Sequence, residues 1–282
     1  DSNGRGGLTQ PEYLNGWPQL CVRSCAGDEC DAPCPAENIY DAGGVAPTGV
    51  VGQTSSITAP KQIAGLRVRR HVFVSKSVQA KANNFLRYVD ELHNPTNEAV
   101  TVTVRVGSMT REPGPVLPDG TSGYLSLGYE QIWNTSSDDP DFEARDRWVV
   151  ADDSQANAGI LNTGVLIQGA GTRVGSMVPY SKAFALDSAL ELAWDFRNIS
   201  VPPGQTVRLM TIVVLEEKRA DAYTELEYLM QVRKVDALEE LSIIERNEIY
   251  NFDVNDDNAA PLTDAGGPYV IDEGMNLELT AN

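Results

Sequence analysis

Four cysteines, Cys21, Cys25, Cys30 and Cys34, fall within one short stretch, and the chain has no others. Such a cluster can form disulfides, hold a metal or remain as thiols. Structural zinc sites usually set cysteine pairs two to four residues apart across a longer intervening loop. Here only four residues separate the two CxxxC pairs, and no histidine follows as c-type haem attachment would require. Two disulfides are the favoured reading, with three pairings open. They imply an oxidising compartment. Pro18, Gly27, Pro33 and Pro35 around the cysteines make a poor apolar core, for which covalent staples are a substitute.

Other catalytic residue types are scarce. His71 and His93 are the only histidines, so a Ser-His-Asp triad would have to use one of them, and no GxSxG elbow is present. HExxH, a Walker loop and a GxGxxG between strand and helix are also missing. Glycoside hydrolysis needs only two carboxylates. With 40 acidic residues, a pair such as Asp90 with Glu91 is one choice among many.

The acids do cluster. Asp138, Asp139, Asp141, Glu143, Asp146, Asp152 and Asp153 form one group, and Asp253, Asn255, Asp256, Asp257 and Asp264 a second. Hard cations such as Ca²⁺ favour carboxylate and carbonyl oxygens from loops of this kind. The alternative is a solvated acidic loop, because the spacing does not match an EF-hand. Near the first group lie Tyr124, Tyr129, Trp133 and Trp148, flat rings that either stack on sugars or pack a core. Trp133, Trp148 and Tyr129 are the candidate ligand-binding residues.

Charge narrows the partners. The 22 Lys+Arg against 40 Asp+Glu give a formal charge of −18 over 282 residues, which repels nucleic acid and anionic lipid headgroups. Cations are the natural counterparts. No apolar run approaches the ~20 residues of a membrane helix, so membrane insertion is not expected. The start at Asp1 suggests a processed precursor or a trimmed chain, from which any signal peptide would already have been removed.

The elements that must position these groups are mostly strands. Residues 1–55 read as an irregular, cysteine-containing arm. From Ile57 onward, Leu66 to Val74, Phe85 to Leu92 and Val100 to Val106 are β-branched or alternating runs, and Val100, Val102, Val104 and Val106 share one face. His93 to Glu98 has the composition of a turn, which predicts a hairpin between the last two strands. Further strands are predicted at Tyr124 to Leu127, Arg147 to Val150 and Gly164 to Gln168. Another follows at Leu190, Leu192, Trp194 and Phe196, whose intervening Glu191, Asp195 and Arg197 predict a wet face. Val207 to Leu215 is apolar on both faces, as a central strand should be. Two amphipathic helices are predicted at Asp221 to Val232, carrying Tyr223, Leu226, Leu229 and Met230, and at Val235 to Tyr250, carrying Leu238, Leu241, Ile244 and Ile249. The fold class is mainly β, a large antiparallel sandwich over residues 56–252 with two terminal helices.

After an acidic linker, 253–265, residues 266–282 are similar to the opening strands of a PKD-type, immunoglobulin-like repeat. The resemblance rests on Asp264-Ala265-Gly266-Gly267-Pro268-Tyr269, Glu273-Gly274 and the alternating Leu277 and Leu279. The preceding region, about residues 60–252, resembles a large uncharacterised β-sandwich module found before such repeats in secreted bacterial proteins. Its marks are the Phe85-to-Asn94 strand and Asn-Pro turn, Asp146-Arg147-Trp148-Val149-Val150-Ala151-Asp152-Asp153, Val201-Pro202-Pro203-Gly204-Gln205-Thr206, and Glu245-Arg246 leading to Asn251-Phe252. The resemblance implies an exported module and carries no activity. The strand pattern is broadly similar to those of mutarotase-like and sugar-acting proteins, a likeness of fold and not of function.

A lone pair of strands is marginal in water and leaves Val270, Ile271, Leu277 and Leu279 in need of cover. Either the repeat continues, or these strands join the sheet edge of a neighbouring copy. The resulting expectation is an extracellular structural or adhesive surface protein, with self-association or neighbouring modules as partners and Ca²⁺ as the expected ion. The alternatives are a carbohydrate-binding module and a glycan-active enzyme.

Overall fold

The computed structural model describes residues 18–25, 30, 34–40, 49–51, 55–75, 85–107, 131–152, 162–169, 172–184, 189–231 and 236–254, with side chains placed outside 49–56, 182–191 and 236. Alternation in the long strands decides the architecture, because each apolar phase needs a surface to pack on.

β6 (Leu66–Val74), β7 (Phe85–His93) and β14 (Thr206–Glu216) are neighbours in a nine-stranded antiparallel sheet. On the side of β6 it continues through β4 (Ser55–Ile57) to β3 (Gly49–Val51), and β5 (Lys61–Ile63) also pairs with β6. On the side of β14 it continues through β11 (Asn162–Leu166) and β10 (Trp148–Asp152) to β9 (Gln131–Thr135). The second sheet has five strands in the order β12 (Ser176–Phe184), β13 (Ala189–Val201), β8 (Val100–Gly107), β1 (Gln19–Arg23) and β2 (Ile39–Tyr40).

One apolar phase of each sheet meets the other. Leu66, Val68, Tyr88, Leu92, Leu209 and Val213 pack with Leu20, Val22, Val102, Val104, Val106, Trp194 and Phe196. This is the predicted sandwich. The opposite phase of the larger sheet, including Phe85, Val89, Met210, Ile212 and Val214, is covered by α1 (Arg219–Leu229) and by the segment that follows it. β14 is therefore covered on both faces, as its composition requires. Gly164 lets α1 approach: a Cβ there would stand 2.7 Å from Leu226 Cδ1 and 2.5 Å from Val214 Cγ2.

The predicted β7–β8 hairpin is not formed, because β7 pairs with β6 and β14 while β8 pairs with β1 and β13. The chain crosses between sheets at this turn. Asn94, fully buried, ties the crossing to its neighbour: its side-chain amide donates to the carbonyls of Glu98 (2.7 Å) and Val201 (2.8 Å). Its backbone N–H donates to Gln205, and its carbonyl accepts from Gly204, both at 2.9 Å. The β13-to-β14 passage through Pro202-Pro203-Gly204 is thus bound to the β7-to-β8 passage.

Three further expectations are corrected. The segment expected to be an irregular arm supplies β1, β2 and β3, and β1 lies inside the smaller sheet with Leu20 and Val22 in the core. The face expected to be wet at Asp195 is covered, and that residue is 2% exposed. The second predicted helix is broken into a 3-10 turn at Asp236–Leu238 and the short α2 (Ile243–Asn247). Its break lies at Glu240, which has a φ of +63°, and at Ser242, which caps α2 through a reciprocal capping box with Glu245. Leu238, Leu241 and Ile249 are buried as predicted, whereas Ile244 is 71% exposed.

Candidate functional site

Polar side chains at apolar-phase positions of a strand must find partners, since burying an unpaired charge is costly. Two such groups, and a third on the outer face of the smaller sheet, organise the molecule. In β6, Arg70 occupies the same phase as Leu66 and Val68, and in β7, Asp90 occupies the phase of Tyr88 and Leu92. The two residues are direct cross-strand partners. Arg70 donates from Nε to Asp90 Oδ1 at 2.6 Å and from Nη2 to Oδ2 at 2.9 Å, while Nη1 reaches the Pro18 carbonyl at 2.6 Å. This bidentate pair sits within the core between the sheets. Burial there pushes the Tyr88 phenol up to about 12, and the nearby Arg70 charge only partly offsets that.

One residue later the chain faces the other way. Glu91 has Arg69 of β6 and Arg208 of β14 as direct partners on its two sides. Its Oε1 lies 2.7 Å from Arg69 Nε, and its Oε2 lies 2.5 Å from Arg208 Nη2 and 3.6 Å from His71 Nε2. Arg208 also pairs with Glu248. Burial disfavours the Glu91 anion, but His71, Arg69 and Arg208 outweigh it and hold the carboxyl down to about 2. Asp90 and Glu91, the pair weighed for glycoside chemistry, are split across the sheet and cannot flank one substrate.

The third group lies on the outer face of the smaller sheet. Arg105 of β8 donates from Nε to Asp195 Oδ1 at 2.6 Å and from Nη2 to Oδ2 at 2.8 Å. Arg23 approaches the same carboxylate at 3.5 Å. The cysteines form two disulfides, Cys21–Cys34 and Cys25–Cys30, so the pairing is an outer bridge enclosing an inner one. The inner bridge brings the Cys30 carbonyl to Arg23 and Arg105. Thr103 Oγ1 lies 3.4 Å from Cys30 Sγ. Cys30, held by the inner bridge, therefore lies against this charged rung.

The described acidic residues do not converge. Asp146 is fully buried and accepts from the Ser137 hydroxyl at 2.5 Å and the Glu143 N–H at 2.7 Å, closing the loop between β9 and β10. Asp152 pairs with Arg219, Asp139 with Arg145 at 3.9 Å, and Asp138 and Asp141 are exposed. Asp253 is half-buried. Among the described residues no three His, Cys, Asp or Glu side chains come together so as to hold a metal ion. Asp153, Asp256 and Asp257 lie outside the described residues.

The aromatic residues are also accounted for by packing. Trp148 is 1% exposed, donates from Nε1 to Glu227 Oε1 at 2.9 Å and meets the Tyr223 ring edge-on at 5.2 Å. It presents no face to a sugar. Trp133 is half-buried with the Arg219 guanidinium 5.6 Å from its ring centre. Tyr129 and the strand predicted at Tyr124 lie outside the described residues, as do Val270, Ile271, Leu277 and Leu279.

Sequence reasoning passed over Arg70, Arg105 and Arg208 and read Asp195 as solvent-facing. For Arg70 and Arg208 the signal was present, since a charged residue in the apolar phase of a strand announces a buried partner on the adjacent strand, whereas Arg105 and Asp195 stand in the polar phase and carry no such signal.

No family model matches this sequence, and no curated protein matches it. Among solved structures the chain is similar to a polysaccharide lyase at 13% identity and a TM-score of 0.38, over 76% of this chain and 28% of the lyase. A candidate aldose 1-epimerase from Klebsiella pneumoniae aligns at 8% identity and a TM-score of 0.39, over 89% of this chain and 74% of the epimerase. At these scores neither likeness bears on function.

Proposed function

We propose that this chain is a structural or adhesive module of an exported surface protein, built to hold its shape outside the reducing cytosol. The observation that supports this reading is the pair of disulfides that holds Cys30 against Arg23 and Arg105 beside Asp195. Disulfides persist where thiols are oxidised, and they chiefly limit the unfolded chain. No helix among the described residues is long and apolar enough to cross a membrane. Arg70 with Asp90, Glu91 with Arg69 and Arg208, and Arg105 with Asp195 tie neighbouring strands of the two sheets together. The PKD-type resemblance of residues 266–282 supports a place in a multi-module stalk or fibre.

The carbohydrate-binding alternative needs exposed flat rings, and Trp148 is removed from that role by burial. The test is sedimentation of the full chain beside one ending at Asp257, with both screened on a glycan array. Self-association of the full chain alone, without saturable glycan binding, is expected. Saturable binding to a glycan that Trp133→Ala abolishes would replace this reading with the carbohydrate one, and two monomeric chains would remove the linking role.

A further inference from the structure

α1 packs across β11, β14 and β10 with Ala222, Glu225, Leu226 and Leu229 as its buried residues. Three of these are apolar, and the fourth is a carboxylic acid only 4% exposed. Its Oε1 is buried without a hydrogen-bond partner. On the face that α1 covers, Asn162 of β11 and Glu216 of β14 are cross-strand partners. Asn162 spends its side-chain N–H on the Glu216 carbonyl at 3.1 Å and leaves its own Oδ1 buried and unpartnered. Among the described residues, the covered face thus holds two buried oxygens without a donor, Glu225 Oε1 and Asn162 Oδ1.

We propose that Glu225 docks as the neutral acid and that its ionisation releases α1 from the sheet, making this helix a pH-sensitive latch. Among the described residues no cation of the facing elements is placed to hold the anion. β14 presents Glu216, followed by Glu217; the only acid of β10 on this face, Asp152, is occupied by Arg219; and β11 presents no charged residue. On α1 itself Asp221 stands one turn before Glu225, and Lys218 at the helix start is exposed. Burial, then the charge of Glu216, pushes the Glu225 carboxyl up to about 7. Glu216 is raised as well, by burial and then by Asp221 and Glu217.

A carboxyl raised on folding favours docking fully below its unfolded value, near 4.5, and loses that advantage as pH rises through 7. The opening equilibrium of α1 should then grow on the order of 100-fold from pH 5 to pH 8.

The experiment is hydrogen exchange of the α1 amides at pH 5 and pH 8, corrected for intrinsic rates, in the full chain and in Glu225→Gln. The wild type should open with a midpoint near neutrality, Glu225→Gln should stay closed, and Glu216→Gln should move the midpoint down. Equal pH dependence in wild type and Glu225→Gln, or no pH dependence in the wild type, would overturn the latch. Closure of the wild type at pH 8 by millimolar Ca²⁺, absent in Glu225→Gln, would also overturn it in favour of a cation site.

Discussion

Asn251 and Met210 are joined as two backbone units would be: Met210 N–H donates to Asn251 Oδ1 at 2.8 Å, and Asn251 Nδ2 donates to the Met210 carbonyl at 2.6 Å. The second N–H of the same amide donates to the Ile167 carbonyl at 2.7 Å. The residue is fully buried at the point where pairing between β11 and β14 has ended at Leu166↔Ile212. It fills the opening gap, while Arg208 exchanges backbone hydrogen bonds with Glu248 and Tyr250.

Asn251→Leu keeps the volume and removes all three bonds, leaving the Met210 N–H and two carbonyls unpaired in the interior. A loss of about 3 kcal/mol or more is expected from the cost of unsatisfied buried groups. Urea denaturation, with an unchanged slope, measures it. A midpoint within error of wild type would show that water replaces the amide.

The Arg70–Asp90 pair predicts a non-additive pattern. Arg70→Met or Asp90→Leu alone strands one charge in the core and should cost about 3 to 5 kcal/mol. The double variant leaves no charge and should recover most of that loss. Additive losses in the double-mutant cycle would show that the pair is not coupled.

Acid should destabilise the fold through Glu91. A carboxyl held down to about 2 contributes stability that is present above its unfolded value of 4.5 and is lost as pH falls through 2. The contribution is at most about 3 kcal/mol. Thermal melts below pH 4.5 should show it, and Glu91→Gln should flatten that limb. An unchanged acid limb in the variant would assign the loss to other carboxylates.

The disulfide pairing predicts peptides joined as Cys21–Cys34 and Cys25–Cys30 in a non-reducing digest. Replacing Cys21 and Cys34 together with serine should cost about 2 to 4 kcal/mol. Recovery of a Cys21–Cys25 link instead would refute the nested arrangement.

Much of the candidate site was written in the strands but needed the partner strand to be read. Val102, Val104 and Val106 announced their common face, and Val207 to Leu215 announced a strand covered twice. The motif marks proved to be joints. Asn94 and the Pro202-Pro203-Gly204 turn tie two crossings, Asp146 closes a loop, and Asn251 replaces a missing backbone partner. The hairpin at His93 to Glu98 was misread because a turn's composition reports that the chain reverses, not which sheet receives it.

Residue order alone determined the β class, the two-sided burial of β14 and the disulfide chemistry of the four cysteines, since periodicity and thiol spacing are local properties. Tertiary structure decided the cysteine pairing, the sheet to which β8 belongs, the separation of Asp90 from Glu91 and the fate of Trp148. Each of these depends on which distant strand or helix arrives alongside, and that is set by the simultaneous burial of all the apolar faces.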